Sequence, residues 1–235
     1  IKFLNSIMSN ICIIPARGGS KRIPRKNIKN FLGKPILAYS IEAALKSGLF
    51  DEVIVSTDDK EIADISLSYG ASVPFFRSNK NSSDYASTFE VLEEVLERLK
   101  TQNRIFKYCC CIYPCAPFVK PKILNKSFKK LTENNLDSLF PIIKYGHPIQ
   151  RALKISSDNK LKYYITENTL TRTQDLKDMF YDAGQFYWMN VNEILEHKKV
   201  VTNNSEGILI SELEAHDIDN ELDWKLAELK FNLLR

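Results

Sequence analysis

Short apolar runs alternate with amphipathic segments along the first half of the chain. Ile11 to Ile14 has the length and β-branched content of a buried strand, and the run stops at Pro15. Pro35 to Ser47 carries apolar residues at helical spacing, and Gly48 is suited to a C-terminal cap. Glu52 to Ser56 predicts a second strand. This alternation, with its short connections, indicates parallel βαβ units.

The next segments repeat the rhythm. Ala71 to Phe76 predicts a third strand, preceded by a helix from about Lys60 to Tyr69 that Thr57 or Asp58 can cap. Ser87 opens an S-x-x-E capping box ahead of a long amphipathic helix. Helix starts are therefore marked by side chains as well as by apolar spacing.

The second half adds further strands, a helix and a hairpin. Ile105 to Tyr113 is nearly continuous in apolar and aromatic residues, as expected of a central strand buried on both faces. The other predicted segments are a helix at Lys122 to Asn134, strands at Ser138 to Lys144, Ala183 to Val191 and Gly207 to Ile210, and a hairpin joining Ala152–Ile155 to Leu161–Ile165. The sequence therefore predicts an α/β fold with a doubly wound, mostly parallel sheet.

Length and composition fit one domain with an excursion. The chain has 235 residues, 44% of them hydrophobic, and can bury one substantial core. We expect a single domain at residues 8–235, in which residues 145–182 interrupt the strand–helix rhythm. Residues 1–7 precede the first strand without a starting methionine, and we interpret them as added sequence or a mis-set start.

Charge and cysteine content narrow the class of protein. The net charge of +4 is modest and does not by itself indicate a nucleic-acid or membrane partner. Apolar runs stay well short of the roughly 18 residues of a membrane span, and no secretory leader core precedes the first strand. The five cysteines lie in or beside predicted strands, without a nearby histidine for a zinc pattern. We therefore expect buried, reduced thiols in a cytoplasmic protein.

The turn after the first strand is rich in glycine and basic residues. Gly18 and Gly19 let the backbone approach an oxyanion, and the stretch from Arg17 to Lys34 carries seven Lys or Arg and no acid. The turn lacks the spacing of a P-loop and of the G-x-G-x-x-G dinucleotide fingerprint. We favour a polyphosphate-binding loop, because the charges follow a buried strand and are broken by Gly and Pro. The alternative is a basic patch that is merely solvated or binds nucleic acid.

Near the other end, two acids stand two residues apart. In extended backbone Asp217 and Asp219 lie on one face, about 6.6 Å apart along the chain. Two carboxylates on one face suit Mg²⁺, which completes its octahedron with waters and phosphate oxygens. On spacing alone another role competes, since Asp219 or Asn220 can simply cap a helix that begins near Glu221.

The run PARGGSKRIPRKN, Pro15 to Asn27, resembles the N-terminal signature of the CMP-sialic acid synthetase family, the acylneuraminate cytidylyltransferases. The GQFYW wording at Gly184 to Trp188 resembles those members that act on pseudaminic acid. The resemblance implies a Rossmann-like nucleotidyltransferase fold and an enzyme that couples CTP to a nine-carbon 2-keto acid sugar, giving CMP-sugar and pyrophosphate. It also implies a metal pair at Asp217 and Asp219, and a homodimer in which the excursion at 145–182 reaches the partner.

The basic turn supplies most of the expected nucleotide contacts. Lys26 is the strongest candidate for stabilising charge at the α-phosphate. The resemblance adds a strand-end arginine, Arg77, at the phosphates, and Ser87 at the cytosine or ribose beside its capping role. The predicted nucleotide-binding residues are Ala16, Arg17, Gly18, Ser20, Lys26, Asn27, Arg77 and Ser87, and the predicted catalytic residues are Arg17, Lys26, Asp217 and Asp219.

The acidic sugar needs donors for its carboxylate and hydroxyls. An arginine fork matches a carboxylate in two-point contact, which favours Arg151 with its neighbour Gln150. The end of the central strand should line the pocket, which brings in Tyr113, although the family commonly has glutamine there. The resemblance adds Arg172, as the arginine offered to a dimer partner, and Gln185 and Tyr187 from the GQFYW block.

Two other functions stay open from the sequence. One is a related sugar nucleotidyltransferase that acts on sialic, legionaminic or an eight-carbon acid, or that uses another nucleoside triphosphate. The other is a non-catalytic protein that binds nucleotides or nucleic acid through the basic turn. Magnesium-dependent turnover would separate the enzymes from the binding protein.

Overall fold

The computed structural model describes residues 9–234. The prediction about residues 1–7 lies outside the described residues. The elements are β1 (Asn10–Pro15), β2 (Asn30–Phe31), β3 (Lys34–Pro35), α1 (Ile36–Ser47), β4 (Glu52–Ser56), α2 (Lys60–Ser68), α3 (Thr88–Lys100), β5 (Tyr108–Ile112), α4 (Pro121–Glu133), β6 (Ser138–Lys144), β7 (Leu153–Ile155), β8 (Leu161–Tyr163), β9 (Phe180–Asp182), β10 (Phe186–Asn190), α5 (Val191–His197), β11 (Ser205–Leu209) and α6 (Glu221–Leu233). Across residues 9–234, no helix is both long and apolar enough to cross a membrane.

A seven-stranded sheet organises the chain, in the order β11-β6-β10-β5-β1-β4, with β9 added beside β6. The pairs β1 with β4, β1 with β5 and β11 with β6 are parallel. β10 runs antiparallel between β5 and β6, and β9 is antiparallel to β6. The predicted doubly wound, mostly parallel α/β sheet is therefore confirmed, and β7 and β8 form the predicted separate hairpin.

Several predicted elements differ from the observed ones for local reasons. The third predicted strand, Ala71 to Phe76, is wrong in extent, because only Ser72 bridges to β4 and Pro74 has no N–H to continue a ladder. Asp59, not Thr57 or Asp58, caps α2 by accepting the Ile62 N–H at 3.0 Å. The capping box at Ser87 is confirmed.

The sheet is buried on both faces at its centre. All five residues of β5 are buried, and the alternating side chains of β1 and β5 enter two different hydrophobic clusters. A third cluster contains Phe31, Trp224 and Ile218, so that it fastens α6 beside the basic turn. Full burial of each such side chain contributes about 1.5–3 kcal/mol. This packing fixes where the C-terminal acidic segment lies.

Candidate active site

A cleft of about 290 Å³, here called the main cleft, opens at the carboxyl ends of β1 and β5. In an open α/β sheet, ligands gather at this edge. The cleft collects most residues that the sequence assigns to the nucleotide, while Ala16 and Gly18 are not among the side chains that line it. Its lining includes Arg17, Ser20, Lys26, Asn27, Arg77, Ser87 and Tyr113.

Two further cavities continue from the main cleft, one smaller than the cleft and one larger. The small cavity, of about 130 Å³, shares Lys26 and Tyr113 with the main cleft and adds Cys115, His216 and Asp217. The outer cavity, of about 410 Å³, is lined by His216, Asp217 and Gly184, which it shares with the small cavity, and by Asp182 and Lys230. The three spaces form one trough from the basic turn to the C-terminal segment.

Backbone contacts hold the first part of the basic turn against β4 and its following loop. The buried Ala16 donates its N–H to the Ser56 carbonyl at 2.9 Å, and Gly18 donates its N–H to Asp58 Oδ1 at 2.8 Å. A Cβ on Gly18 would lie 2.8 Å from Asp59 Oδ2, which explains the need for glycine. Ala16 and Gly18 therefore shape the turn from below the cleft.

Arg25 anchors the turn to α2. Its backbone is left-handed, with φ 55° and ψ 29°, a conformation that costs about 1–2 kcal/mol for a residue other than glycine. Its guanidinium contacts Asp59 at 2.5 and 3.0 Å and Glu61 at 2.5 Å. The bond from Arg25 also lowers the pKa of Asp59. Arg25 thus points away from the cleft and sets the start of the short 3₁₀ helix at Lys26–Ile28.

Lys26 joins the basic turn to the C-terminal segment. Its Nζ donates to the carbonyl of Ile218 at 2.8 Å, across 192 residues of sequence. Ile218 is buried, and the flanking Asp217 and Asp219 are exposed and partly exposed, respectively, as extended backbone requires. Arg22 and Asp219 form an ion pair at 2.6 Å. The two segments that the sequence predicts to act together therefore lie side by side.

Asn27 is buried and connects the turn to the segment that follows β5. Its amide Nδ2 donates to the Arg17 carbonyl at 2.8 Å, and its Oδ1 accepts from Cys115 Sγ at 3.2 Å. Burial raises the pKa of Cys115 to about 12, so that the group stays a thiol. All five cysteines are free and the four on β1 and β5 are buried, in agreement with the predicted reduced thiols.

Arg77 and Ser87 line the far wall of the main cleft. Arg77 is 7% exposed and its Nε donates to Ser56 Oγ at 3.0 Å, while burial lowers its pKa. Ser87 caps α3 by accepting the Glu90 N–H at 3.2 Å. The Ser87 hydroxyl therefore caps α3, and Ser87 also lines the main cleft.

Sequence reasoning missed an acidic residue that faces the basic turn. Asp84 contacts Arg17 at 2.6 Å and Lys21 at 2.5 Å across the main cleft. The bonds from Lys21 and then Arg17 lower the pKa of Asp84, so that it is ionised at neutral pH. Asp84 lies in the polar loop after Arg77, which was visible in the sequence. No local pattern indicates that this loop contacts the basic turn. Asp84 therefore forms ion pairs with Arg17 and Lys21, two cations that could otherwise contact a phosphate.

Two predicted sugar contacts from the GQFYW block are buried. Gln185 is 4% exposed, and its Nε2 donates to the Glu214 carbonyl at 2.5 Å, outside the trough. Tyr187 is 8% exposed and its hydroxyl donates to Asp182 Oδ2 at 2.5 Å. Asp182 is a second residue that sequence reasoning missed. These two residues shape the trough wall from behind, while Tyr113 lines its surface.

The other three predicted sugar contacts bond within the excursion of their own chain. Gln150 donates to the Lys177 carbonyl at 2.8 Å. Arg151 donates to the carbonyls of Thr169, at 3.1 Å, and Thr171, at 2.5 Å. Arg172 pairs with Asp175 at 2.7 Å. None of these three side chains lines the main cleft, the small cavity or the outer cavity.

Comparisons with known proteins identify the family of this chain. Residues 11–221 match the cytidylyltransferase family model. The chain is 41% identical over 226 residues to a pseudaminic acid cytidylyltransferase of Campylobacter jejuni, covering 96% of this chain and 97% of that protein. It is 31% identical over 230 residues to the CMP-N,N'-diacetyllegionaminic acid synthase of Legionella pneumophila, with 94% and 95% covered.

A solved structure supports the fold. The CMP:2-keto-3-deoxy-manno-octonic acid synthetase complexed with CTP superposes with a TM-score of 0.72 at 14% identity, covering 97% of this chain and 100% of that one. At this identity the likeness establishes the architecture alone. The predicted family resemblance and nucleotidyltransferase fold are confirmed. The chain belongs to the cytidylyltransferase family.

Proposed function

We propose that this enzyme transfers CMP from CTP to a nine-carbon 2-keto acid sugar, with pseudaminic acid as the acceptor. The anomeric hydroxyl oxygen bonds to the α-phosphorus while the bond from that phosphorus to the bridging oxygen breaks. Pyrophosphate leaves, and the hydroxyl proton goes to a base or to solvent. The choice of acceptor is supported by a relative that is 41% identical across nearly the whole chain and named for pseudaminic acid.

The observation that carries this proposal is the contact between Lys26 and Ile218. It places an ammonium group where the main cleft meets the small cavity, against the backbone of Ile218, the residue between Asp217 and Asp219. A phosphate at that junction would meet a cation from one segment and acids from the other. Nucleotidyl transfer requires this combination, because positioning and charge neutralisation supply most of its catalysis.

We assign the triphosphate to the basic side of the main cleft. Arg17, Ser20, Lys26 and Asn27 surround the phosphates, and Lys26 neutralises developing charge at the α-phosphate. Arg77 faces the phosphates from the opposite wall, and Ser87 stands at the nucleoside end beside the free N–H groups of α3. Phosphates would displace Asp84 from Arg17 and Lys21, since they offer more negative charge to the same donors.

The acidic pair fits Mg²⁺. Asp217 and Asp219 supply hard carboxylate oxygens from outward positions on one extended segment, with the buried Ile218 fixing the backbone between them. When bound, the ion would neutralise phosphate charge and orient the leaving pyrophosphate. Asp219 would exchange its ion pair with Arg22 for the metal, which frees Arg22 to meet a phosphate.

The acceptor sugar fits the small and outer cavities, which extend from Lys26 past His216 to Asp182. Tyr113 contacts the sugar from the surface of the trough, and Gln185 and Tyr187 support that wall from behind. We infer that the carboxylate donors, Gln150, Arg151 and Arg172, come from the excursion of a partner subunit, because in their own chain they lie outside the trough.

A homodimer is supported by the apolar surface of the excursion. Side chains on and near the β7–β8 hairpin are strongly exposed, at 53% for Leu153, 70% for Ile155, 65% for Leu161 and 69% for Tyr164. Such a patch on a short two-stranded hairpin is typical of a protein–protein interface. Buried free thiols are consistent with a cytoplasmic enzyme.

The test is pyrophosphate release with CTP, UTP, ATP and GTP against pseudaminic, sialic, legionaminic and eight-carbon acids. We expect magnesium-dependent turnover with CTP, and the highest kcat/KM with pseudaminic acid. A higher kcat/KM with another acid would reassign the acceptor. Steeply salt-dependent oligonucleotide binding without turnover would instead support a nucleic-acid-binding protein and refute the proposal.

A further inference from the structure

Two tyrosines lie between the main cleft and the outer cavity. The Tyr187 hydroxyl donates to Asp182 Oδ2 at 2.5 Å, and the Tyr113 hydroxyl lies 3.0 Å from Thr88 Oγ1. The two rings meet edge to face, with centroids 5.6 Å apart. We call Asp182, Tyr187, Tyr113 and Thr88 the tyrosine chain. It runs from the outer cavity, at Asp182, to the first residue of α3, at Thr88.

The carboxylate fixes one end of the tyrosine chain. Asp182 Oδ1 accepts the Gly184 N–H at 2.8 Å, so that both carboxylate oxygens have a donor. Tyr187 has a single hydroxyl proton, and it gives that proton to Asp182. Burial, and then the neighbouring Tyr113 and Asp182, raise the pKa of Tyr187, so that it stays a neutral donor. Asp182 therefore holds Tyr187 in place from the lining of the outer cavity.

Packing prevents Tyr187 from moving away. Its side chain is 8% exposed, and its ring contacts both Phe140, with centroids 5.4 Å apart, and Tyr113. Tyr113 is the member of the chain that reaches the trough, since it lines the main cleft and the small cavity beside Lys26. A shift of Asp182 or Tyr187 would therefore move Tyr113 at the wall of the small cavity.

We propose that Asp182 and Tyr187 are positioning residues that hold Tyr113 at the wall of the small cavity, where Tyr113 contacts the acceptor sugar. The inference rests on the proposed function, because it assigns the small cavity to the sugar. It gives Tyr187 a role behind the trough wall instead of in direct contact with the sugar. A purely structural tie between β10 and β5 is the competing explanation.

Steady-state kinetics with CTP and pseudaminic acid separates the two explanations. For Tyr187→Phe and Asp182→Ala we expect KM for the sugar to rise roughly tenfold, because Tyr113 is no longer held in position against the sugar, with KM for CTP within about twofold. Asp182→Asn keeps an oxygen that accepts from Tyr187 and should recover most of this loss. Tyr108→Phe is the matched control, since it removes a hydroxyl from the opposite end of β5 and should leave both KM values unchanged.

The double variant Asp182→Ala/Tyr187→Phe supplies the decisive comparison. If the two residues act as one unit, the double variant raises KM for the sugar no further than either single variant does. The proposal would be overturned if the increase in sugar KM of the double variant equals the product of the two single-variant increases. It would also be overturned if the variants keep the wild-type sugar KM while their Tm falls. If the wild-type enzyme turns over no acidic sugar, the proposed function itself is refuted. That outcome is seen without any variant, so it is distinguishable from failure of this inference.

Discussion

Replacing Lys26 with methionine tests the central assignment, because it removes the ammonium group and keeps the length of the side chain. Lys26 is partly buried at the junction of the main cleft and the small cavity, where screening by solvent is reduced. Loss of a preorganised charge donor to a reacting phosphate costs about 2.7–4 kcal/mol, or 10² to 10³ in kcat. We expect a loss of that size.

The same substitution also removes the 2.8 Å bond from Lys26 to the Ile218 carbonyl. A net contribution of about 1 kcal/mol is reasonable for a partly exposed bond of this kind, which for a chain of this size lowers Tm by about 2–4 °C. Such a change is too small to explain a hundredfold loss of activity at 25 °C. The effect on kcat and the effect on folding are therefore separable in one variant.

The assay is pyrophosphate release at saturating CTP and sugar, with Tm measured on the same preparation. Lys46→Met is the matched control, because Lys46 lines neither the main cleft nor the small cavity, and its side chain is 66% exposed and pairs with Glu42 at 2.7 Å. We expect the control to lose less than about fivefold, as exposed ion pairs contribute roughly 0–1 kcal/mol. A Lys26→Met enzyme with kcat near the wild-type value would refute the role of Lys26.

Four further predictions address the turn, its acidic partners and the thiols. Asp219→Ala should lower kcat by 10² to 10³ and raise the Mg²⁺ concentration for half-activity, and an unchanged magnesium titration would contradict its role as a ligand. Asp84→Asn should tighten CTP binding about two- to fivefold by calorimetry at low salt, since the carboxylate competes with phosphates; weaker binding would show that it supports the nucleotide instead. Gly18→Ala should lower Tm by several degrees because its Cβ would lie 2.8 Å from a carboxylate oxygen, whereas Gly19→Ala, which meets nothing within 4 Å, should not. Native protein at pH 8 should react slowly with a thiol reagent and faster as the pH approaches 12, because a pKa of about 12 at Cys115 leaves about one thiolate in 10⁴ at pH 8; rapid labelling at pH 8 would contradict this.

Local sequence signals were sufficient to predict those features whose contacts lie within a few residues along the chain. The glycine after α1 has φ 66°, as its C-cap position requires, and the Ser87 capping box needs only a glutamate three residues on. The predicted strand at Ala71–Phe76 failed because its apolar content outweighed Pro74, which cannot donate to a ladder. The polar residues Thr57, Asp58 and Asp59 precede α2, and each could cap it. A tertiary contact decides between them, because Asp58 accepts the Gly18 N–H and Asp59 accepts the Ile62 N–H of the helix.

Contacts between distant segments were not predictable from local patterns. The pairing of Arg17 with Asp84 joins residues 67 positions apart, and no periodicity marks it. The antiparallel insertion of β10 between β5 and β6 likewise depends on sheet topology that apolar runs do not encode. For Arg151 and Arg172 the difficulty is different, since a single chain does not contain the subunit that they are proposed to face.

The meeting of the basic turn and the acidic segment depends on apolar residues inside both. Ile23 is 1% exposed between Arg22 and Pro24, and Ile218 is 2% exposed between its two aspartates, and both side chains belong to the hydrophobic cluster around Phe31. Burying both isoleucines in one cluster brings their charged neighbours close together, and Arg22 meets Asp219 at 2.6 Å. The ion pair itself is largely exposed and contributes little to stability, so it does not bring the segments together. The hydrophobic cluster determines where the charges lie, and the charges then determine what the trough can bind.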